Sequence, residues 1–531
     1  MKQVVIIGGG FGGLAAAQRL CAFRERFAVQ LIDRRPTSDF LPLLPDIIGG
    51  RIPVAAAALG LDRLARRMGF TFIHDTVRNI DPARRLVTGT ARAIAYDAAI
   101  IAGGSEPNYY GNSAAQKSAL PLNSCRDAER LVAALAEREV GTWVIAGGGY
   151  TGIEVATQVW RRFKTGGGRP RKIVIIEAAP SLLGALPGWM QRHVIRRMAA
   201  LHIAHIENCT LAEIAGERIV LSTGQVFAPA GLIWCAGVQP PEFVRLLPFP
   251  KSANGRVFVD RQLRIRDRLF AIGDSAAYQA GGRPLRMSVQ FARTQGACAA
   301  INILRDFAPA RPRNYRPRDP GFVLPLAGGN SCGVVFGLRL TGSLPTALHY
   351  IMCVLLTRGL AQRLKLCRAL CRLPEKQDQQ TKKEVAMKSC CAGFDGRSAA
   401  LALMRWGLGL LFLVSGIGKL LHLTGFVQAY LLPAFAGTFL PAALVAAYGY
   451  ALPFVETALG VLLLLGLWRN TALLISGLTF ISLAFGQMLI QKHDMVFNIM
   501  VYLFITGIVL FLGEYDRWAV KGCGRACAEN Q

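Results

Sequence analysis

The chain has 531 residues, with 61 Lys and Arg against 33 Asp and Glu and a formal net charge of +28. That length excludes a single ordinary core and predicts several structural units. The basic residues are scattered, or bunched beside an apolar region, and do not interleave with aromatics; this excludes nucleic acid as the partner and points to a bilayer with an anionic surface.

The opening residues QVVIIGGGFGGLAAAQRL read as an apolar strand, a glycine turn and a helix. The leading apolar run is too short for a secretory segment, so the N-terminus is expected in the cytoplasm and the 13 Cys are expected to be reduced thiols. In the turn, Gly8 permits the tight bend, Gly10 lets backbone approach a pyrophosphate, and Gly13 lets helix meet strand; Gly12 lies between them. The next strand ends in Asp33, placed to take a ribose hydroxyl pair.

The same device recurs in TWVIAGGGYTGIEVATQV, with Gly147, Gly149 and Gly152, and the following strand KIVIIE ends in Glu177. An acid at that point favours a free 2′-hydroxyl over a 2′-phosphate, which selects NADH over NADPH. Two dinucleotide sites on one chain imply a hydride or electron relay. The plainer alternative, that either turn is a relic of the fold, has both acids and both helices against it.

With these turns in place, the chain resembles the two-dinucleotide flavoprotein reductases, and more closely the type II NADH dehydrogenases, over about residues 3–360. YDAAIIAGGSEPNYYG (96–111) resembles their crossover at the FAD site, which implies roles for Ala102 and Gly103. DTVRNID (75–81) resembles the strand whose Val, here Val77, meets adenine, and LFAIGDSA (269–276) resembles the second flavin fingerprint, with Asp274 on the ribityl chain. WCAGVQPPE (234–242) resembles the return from the NAD domain. The stretch FLPLLPDIIGG (40–50) lacks the CxxxxC of disulfide reductases, so no nearby dithiol is expected to take the electrons. The resemblance implies FAD as cofactor and NADH as substrate, with no catalytic acid–base group assigned. Glu154 is carried over as an NADH-site residue, while Gln158 stands where the family often has a second acid and cannot titrate.

Further on, MSVQFARTQG (287–296) matches the register of the family's AQxxxQ pattern beside the quinone. Gln290 keeps the first amide, and Thr294, four residues on and on the same helix face, replaces the second. The plainer alternative is that both are polar positions beside the flavin.

Residues 333–357 resemble the family's membrane-docking segment. Beyond it Leu356, Leu360, Leu364, Cys367 and Cys371 recur at helical spacing, with Arg358, Lys365, Arg368 and Arg372 on another side, the pattern of a basic amphipathic helix on an anionic surface. A polar stretch over 374–397 reads as a linker. Four apolar spans follow, 401–421, 442–467, 471–490 and 496–513, each near the roughly 20 residues a bilayer requires. Flanking basic residues place both termini in the cytoplasm.

The stretches RWGLGLLFLVSGIGKLL and AAYGYALPFVETALGVLLLLGL resemble the DoxX family of four-helix membrane proteins, over about 398–520. Glu456 lies mid-span after Pro453, with Lys419 its nearest ion-pair partner. The pairs Cys367/Cys371, Cys390/Cys391 and Cys523/Cys527 lack metal-site spacing, so no metal is expected.

The expected architecture is an α/β flavoprotein with paired Rossmann-like dinucleotide-binding domains, followed by a four-helix transmembrane bundle. Residues 1–115 and 237–325 form the FAD-binding domain, 116–236 the NADH-binding domain, 326–373 the docking segment, and 398–520 the DoxX-like bundle. The expected function is a multi-pass NADH dehydrogenase of the bacterial inner membrane, its flavoprotein domain cytoplasmic, passing electrons through FAD to a membrane quinone without pumping protons. One alternative sends the electrons to a sulfur or thiol compound, or a protein partner, through the DoxX-like domain. A second is a non-enzymatic scaffold or sensor, and a homo-oligomer stays open.

Overall fold

The computed structural model describes residues 1–138, 141–165, 171–215, 218–371, 396–513 and 516. Most of the expected linker, with Cys390, Cys391, Cys523 and Cys527, lies outside the described residues. The chain divides into two compact units at residues 382 and 383.

In the first unit, Lys2–Ile7 is a strand of β-branched residues that vanish into the core, and it pairs in parallel with Phe27–Asp33 and Ala98–Ile101. Thr71–His74 extends this sheet on one side. On the other, Leu269–Ala271 and Arg264–Arg266 extend it, so the first dinucleotide sheet is completed by strands far along the chain. The second sheet runs in the order Leu120–Pro121, Pro229–Trp234, Gly141–Ala146, Arg171–Ile176, Ile203–Ile206, all parallel. Continuous apolar runs in both sheets follow from cover on both faces, helices on one and a small three-stranded antiparallel sheet on the other.

Two helices carry the sites. Phe11–Leu20 follows the first turn and lies against Val289–Asp306, the exit helix. Their contact is glycine on backbone: a Cβ on Gly296 would come within 2.2 Å of the Gly12 carbonyl oxygen, and one on Gly12 within 3.1 Å of that of Ala292. This approach sets the rotation of the exit helix about its axis.

After a three-stranded antiparallel sheet over Gly321–Leu324, Ser331–Val335 and Leu338–Gly342, the chain forms the helices Ser343–Leu356 and Leu360–Cys371. Gly359, at φ +86°, breaks them apart, so Leu356 does not share a helix with Leu360 as the periodicity predicts. The second helix buries Leu366, Ala369 and Gln362 against the rest of the first unit and leaves Leu360 71% and Leu364 49% exposed.

The second unit holds four long apolar helices, Gly396–Leu421, Ala442–Leu465, Arg469–Leu489 and His493–Phe511, each long enough to cross a bilayer. The last begins ahead of the expected span, with Asp494 in its first turn, where a carboxylate complements the helix dipole. Small residues let the first two touch closely: a Cβ on Gly460 would fall 2.6 Å from the Leu413 nitrogen, and one on Gly416 2.9 Å from the Pro453 oxygen. Among the described residues, two ion pairs lie inside. Arg405 Nε donates to Asp516 Oδ2 at 2.7 Å, both side chains fully buried. Lys419 Nζ donates to both oxygens of Glu456 at 2.7 Å, and Ser415 Oγ donates to the same carboxylate at 3.3 Å.

Candidate functional site

The two glycine turns are the same construction. Gly8 (φ +111°) and Gly147 (φ +103°) both require the left-handed region. A Cβ on Gly13 would lie 1.9 Å from the Gly8 oxygen, and one on Gly152 1.9 Å from the Gly147 oxygen. Gly10 and Gly149 have nothing within 4 Å, the open approach that a pyrophosphate needs. Each turn is tied to its second strand: Asp33 Oδ2 accepts from the Gly9 nitrogen at 2.6 Å, and Glu177 Oε2 from the Gly148 nitrogen at 2.6 Å. Each carboxylate takes a second backbone N–H, from Arg35 at 2.9 Å and Ala179 at 2.8 Å. The acids therefore shape their turns as well as standing ready for a ribose.

Around the first turn the fold gathers the other expected FAD contacts. Ala102 closes over Gly8, whose added Cβ would meet the Ala102 oxygen at 2.1 Å, and Gly103 follows against Phe243. Val77 is buried just beyond Asp75, whose nitrogen donates to the Asp33 oxygen at 3.1 Å. Asp274 is half-buried; desolvation pushes its carboxyl up, opposed by Ser105 Oγ donating to Oδ2 at 2.9 Å and by the charge of Arg256. Gly12 is spent on the exit helix and does not face the open turn. The residues present fit an FAD along one turn and a nicotinamide nucleotide along the other.

On the exit helix the register is as expected but the roles differ. Thr294 Oγ1 donates back to the Gln290 oxygen at 2.9 Å and shares a 2.8 Å hydrogen bond with the Tyr315 hydroxyl. Its hydroxyl is committed within the FAD domain. Gln295 is buried, and its Oε1 accepts from the Gly273 nitrogen at 2.7 Å, holding the Asp274 turn. Gln290 is half-buried and forms no side-chain hydrogen bond among the described residues.

Between these two polar positions, Arg293 reaches a cavity that sequence reasoning missed. The cavity is bounded by Phe11, directly after Gly10, by Phe40 and Asp39, and by Leu356 and Arg358 of the docking segment. It lies where the first turn, the helix Val289–Asp306 and residues 356–362 meet, and its volume, about 30 Å³, is that of a single water. The only sequence signal was an unexplained arginine inside MSVQFARTQG.

A second unforeseen cluster lies beneath the 40–50 stretch. Asp46 is 2% exposed, and its Oδ1 accepts from Tyr350 of the docking helix at 2.6 Å and from Gln158 Nε2 at 3.0 Å. The Arg51 guanidinium stacks 4.2 Å from the Tyr350 ring. Glu154 lies on this inward face of the Tyr150–Thr165 helix, within electrostatic reach of Asp46 and Cys353. Burial first, then the charge of Asp46, pushes the Glu154 carboxyl well above its ordinary value. Gln158 is thus the hydrogen-bond donor that steadies Asp46.

No group of three metal-ligating side chains occurs among the described residues. Burial pushes the thiols of Cys125 and Cys235 up to about 12, and those of Cys21 and Cys332 up to about 11. Such thiols are poor nucleophiles.

Residues 2–296 match the family model described as pyridine nucleotide-disulphide oxidoreductase, and residues 397–495 match that of the methylamine utilisation protein MauE, a DoxX-like membrane domain. An NADH dehydrogenase-like protein of Mycobacterium tuberculosis is 28% identical over 331 residues, covering 58% of this chain and 81% of the relative. The type II NADH:quinone oxidoreductase of Haemophilus influenzae is 24% identical over 385 residues, covering 63% and 87%. The structure of NDH2 from Plasmodium falciparum in complex with NADH superposes with a TM-score of 0.64 at 15% identity, over 71% of this chain and all of that one.

Proposed function

Since the chain belongs to the pyridine nucleotide-disulphide oxidoreductase family, we propose that it is a membrane-bound, FAD-dependent NADH dehydrogenase that reduces a quinone without pumping protons. The observation that carries the acceptor is the helix Val289–Asp306, packed on the turn of Asp274, where Gln290 keeps a side chain without a hydrogen bond among the described residues, in a chain similar to type II NADH:quinone oxidoreductases. The exposed Leu360 and Leu364 provide the bilayer contact.

When bound, FAD supplies two-electron acceptance from a nicotinamide and onward delivery to a quinone. The chain's own residues bind and orient: Gly10 and Gly149 admit the phosphates, Asp33 and Glu177 hold the turns, and Asp274 anchors the polyol. Glu154 and Asp46 are buried, and burial raises both carboxyls. Gln290 remains free on the exit helix to meet a quinone carbonyl. The four apolar helices make this a multi-pass membrane protein; a cytoplasmic flavoprotein domain is the orientation that their basic flanks favour.

Steady-state NADH oxidation in native membranes with a panel of quinones tests this reading. Absence of turnover with every quinone, while anaerobic NADH still bleaches the flavin, would sink it. A second reading, delivery to a sulfur compound, a thiol or a protein partner through the MauE-like domain, is favoured by Thr294, whose hydroxyl is taken up by Tyr315. In that case Thr294→Gln would sharply raise quinone turnover over the native level.

A further inference from the structure

The strands Ser331–Val335 and Leu338–Gly342 form a hairpin that neither nucleotide turn nor the exit helix uses. Val335 pairs with Leu338, so Phe336 and Gly337 are its whole turn, at φ +49° and +81°. A two-residue turn with both φ positive favours Asn-Gly, because a bulky side chain in the left-handed region crowds its own backbone. Here the first position is phenylalanine. The turn is nevertheless fixed, since the Phe336 nitrogen donates to the Pro320 oxygen at 2.8 Å. The ring gains no packing in return: at 82% exposure Phe336 is the most exposed large apolar side chain among the described residues, and Leu338 beside it is 67% exposed.

The charge around the tip identifies its partner. Residues 320–373 hold six Lys or Arg and no Asp or Glu. Arg339, next after Leu338, is exposed, stacks 6.0 Å from the Trp189 ring and forms no ion pair among the described residues. Arg363, Lys365 and Arg368 of the helix Leu360–Cys371 are exposed as well. Apolar exposure runs on through Leu344, Ile351 and Leu355 of the helix Ser343–Leu356, which packs on the hairpin's sheet. An aromatic tip among cations that lack counter-charges suits the boundary of an anionic bilayer, where ring and guanidinium each meet their own layer. The same chain carries four helices fit to cross a bilayer, so that apolar phase is always at hand. Strain held at an exposed aromatic with no partner in its own unit marks a contact surface.

We propose that this hairpin is a second lipid contact, separate from the docking helices: the Phe336 ring enters the boundary of a bilayer of anionic phospholipid, and Arg339 meets the headgroup phosphates there. This rests on the bilayer contact read above from Leu360 and Leu364, and names a further element of that surface and the lipid it prefers. Leu338 follows the ring into the boundary. Because the turn is already fixed in the free protein, the contact forms with little loss of chain entropy.

The test places the photo-crosslinker p-benzoyl-phenylalanine at position 336, 360 or 246 of the full-length protein, in vesicles of phosphatidylcholine with or without phosphatidylglycerol, and reads the adducts by mass spectrometry. Leu246 is the control, exposed but outside the docking segment. Phospholipid adducts are expected at 336 and 360 and not at 246. The yield at 336 is expected to fall about fivefold in Arg339→Gln, the worth of one basic residue at an anionic surface, and at least as far without phosphatidylglycerol, with Arg339→Lys retaining most of it. Phe336→Asn suits the turn, so it should keep or raise the thermal unfolding midpoint while lowering severalfold the lipid adduct formed from a crosslinker at Leu338. Lipid adducts at 360 with none at 336 overturn the proposal and leave the docking helix in place. So do crosslinks from 336 to protein, which would assign the tip to a second copy or another segment, and equal yields at 336 with and without phosphatidylglycerol. Absence of lipid adducts at both 336 and 360 would instead defeat the docking reading on which the proposal rests.

Discussion

Tyr350 of the docking helix donates a 2.6 Å hydrogen bond to Asp46, a residue of the flavin-proximal 40–50 stretch, across 304 positions of sequence. Gln158 of the helix after the second glycine turn donates to the same oxygen. One carboxylate thereby ties together the docking segment and both dinucleotide regions.

Tyr350→Phe removes a donor from a buried carboxylate and is expected to cost about 1–3 kcal/mol in thermal unfolding of the soluble unit. Burial raises the Asp46 carboxyl while the Tyr350 bond, the charges of Arg51 and Arg161, and the Gln158 bond lower it. With its folded-state value above the unfolded one, Asp46 favours folding when protonated, and that contribution fades as pH rises from the unfolded value through the folded one. The Tyr350 bond serves the ionised form, so the penalty of Tyr350→Phe is expected to be larger at alkaline than at acid pH. An equal penalty at both ends would contradict this assignment.

Gly13→Ala and Gly152→Ala introduce the same 1.9 Å clash in different turns. The first is expected to yield protein lacking flavin absorbance. The second is expected to keep its flavin and raise the KM for NADH by an order of magnitude or more, a change of about 1.4 kcal/mol per tenfold. Absorbance spectra and NADH titrations distinguish the two; loss of flavin in both variants would contradict the assignment of the second turn to NADH.

Asp75 sits beside Val77 and accepts backbone N–H bonds from Thr76, Thr90 and Ala91. Burial opposes its charge, but together these bonds outweigh burial and hold the carboxyl below its ordinary value. Its contribution is present above the unfolded carboxylate value and lost as pH falls through the lower, folded one. Asp75→Asn is expected to cost about 1–3 kcal/mol at neutral pH and to weaken FAD retention, and the cost should shrink in acid. Flavin release followed by fluorescence against pH checks this.

Lys419→Met leaves Glu456 alone inside the membrane bundle and is expected to cost about 3–5 kcal/mol, whereas the double change with Glu456→Met should recover most of the loss. Thermal unfolding in detergent measures both. Recovery of stability with loss of NADH oxidation in the double variant would give the pair a role beyond architecture.

The two turns, their second-strand acids and the four apolar spans are legible along the chain because each obeys a rule that acts over a few residues: a positive φ that suits glycine, a strand followed by a helix, a run of apolar side chains long enough for a bilayer. Which partner each side chain of the helix Val289–Asp306 meets is not such a property. The Gly12–Gly296 contact sets the helix's rotation, with Gln295 against Gly273, the Thr294 hydroxyl against Tyr315, and Arg293 toward Arg358 of a segment that follows much later. The same holds for Asp46, Gln158 and Tyr350, whose meeting depends on three distant elements closing on one buried oxygen. Local conformational preference determined where the two glycine turns form and which helices are long and apolar enough to cross a bilayer; long-range packing decided where the charges meet.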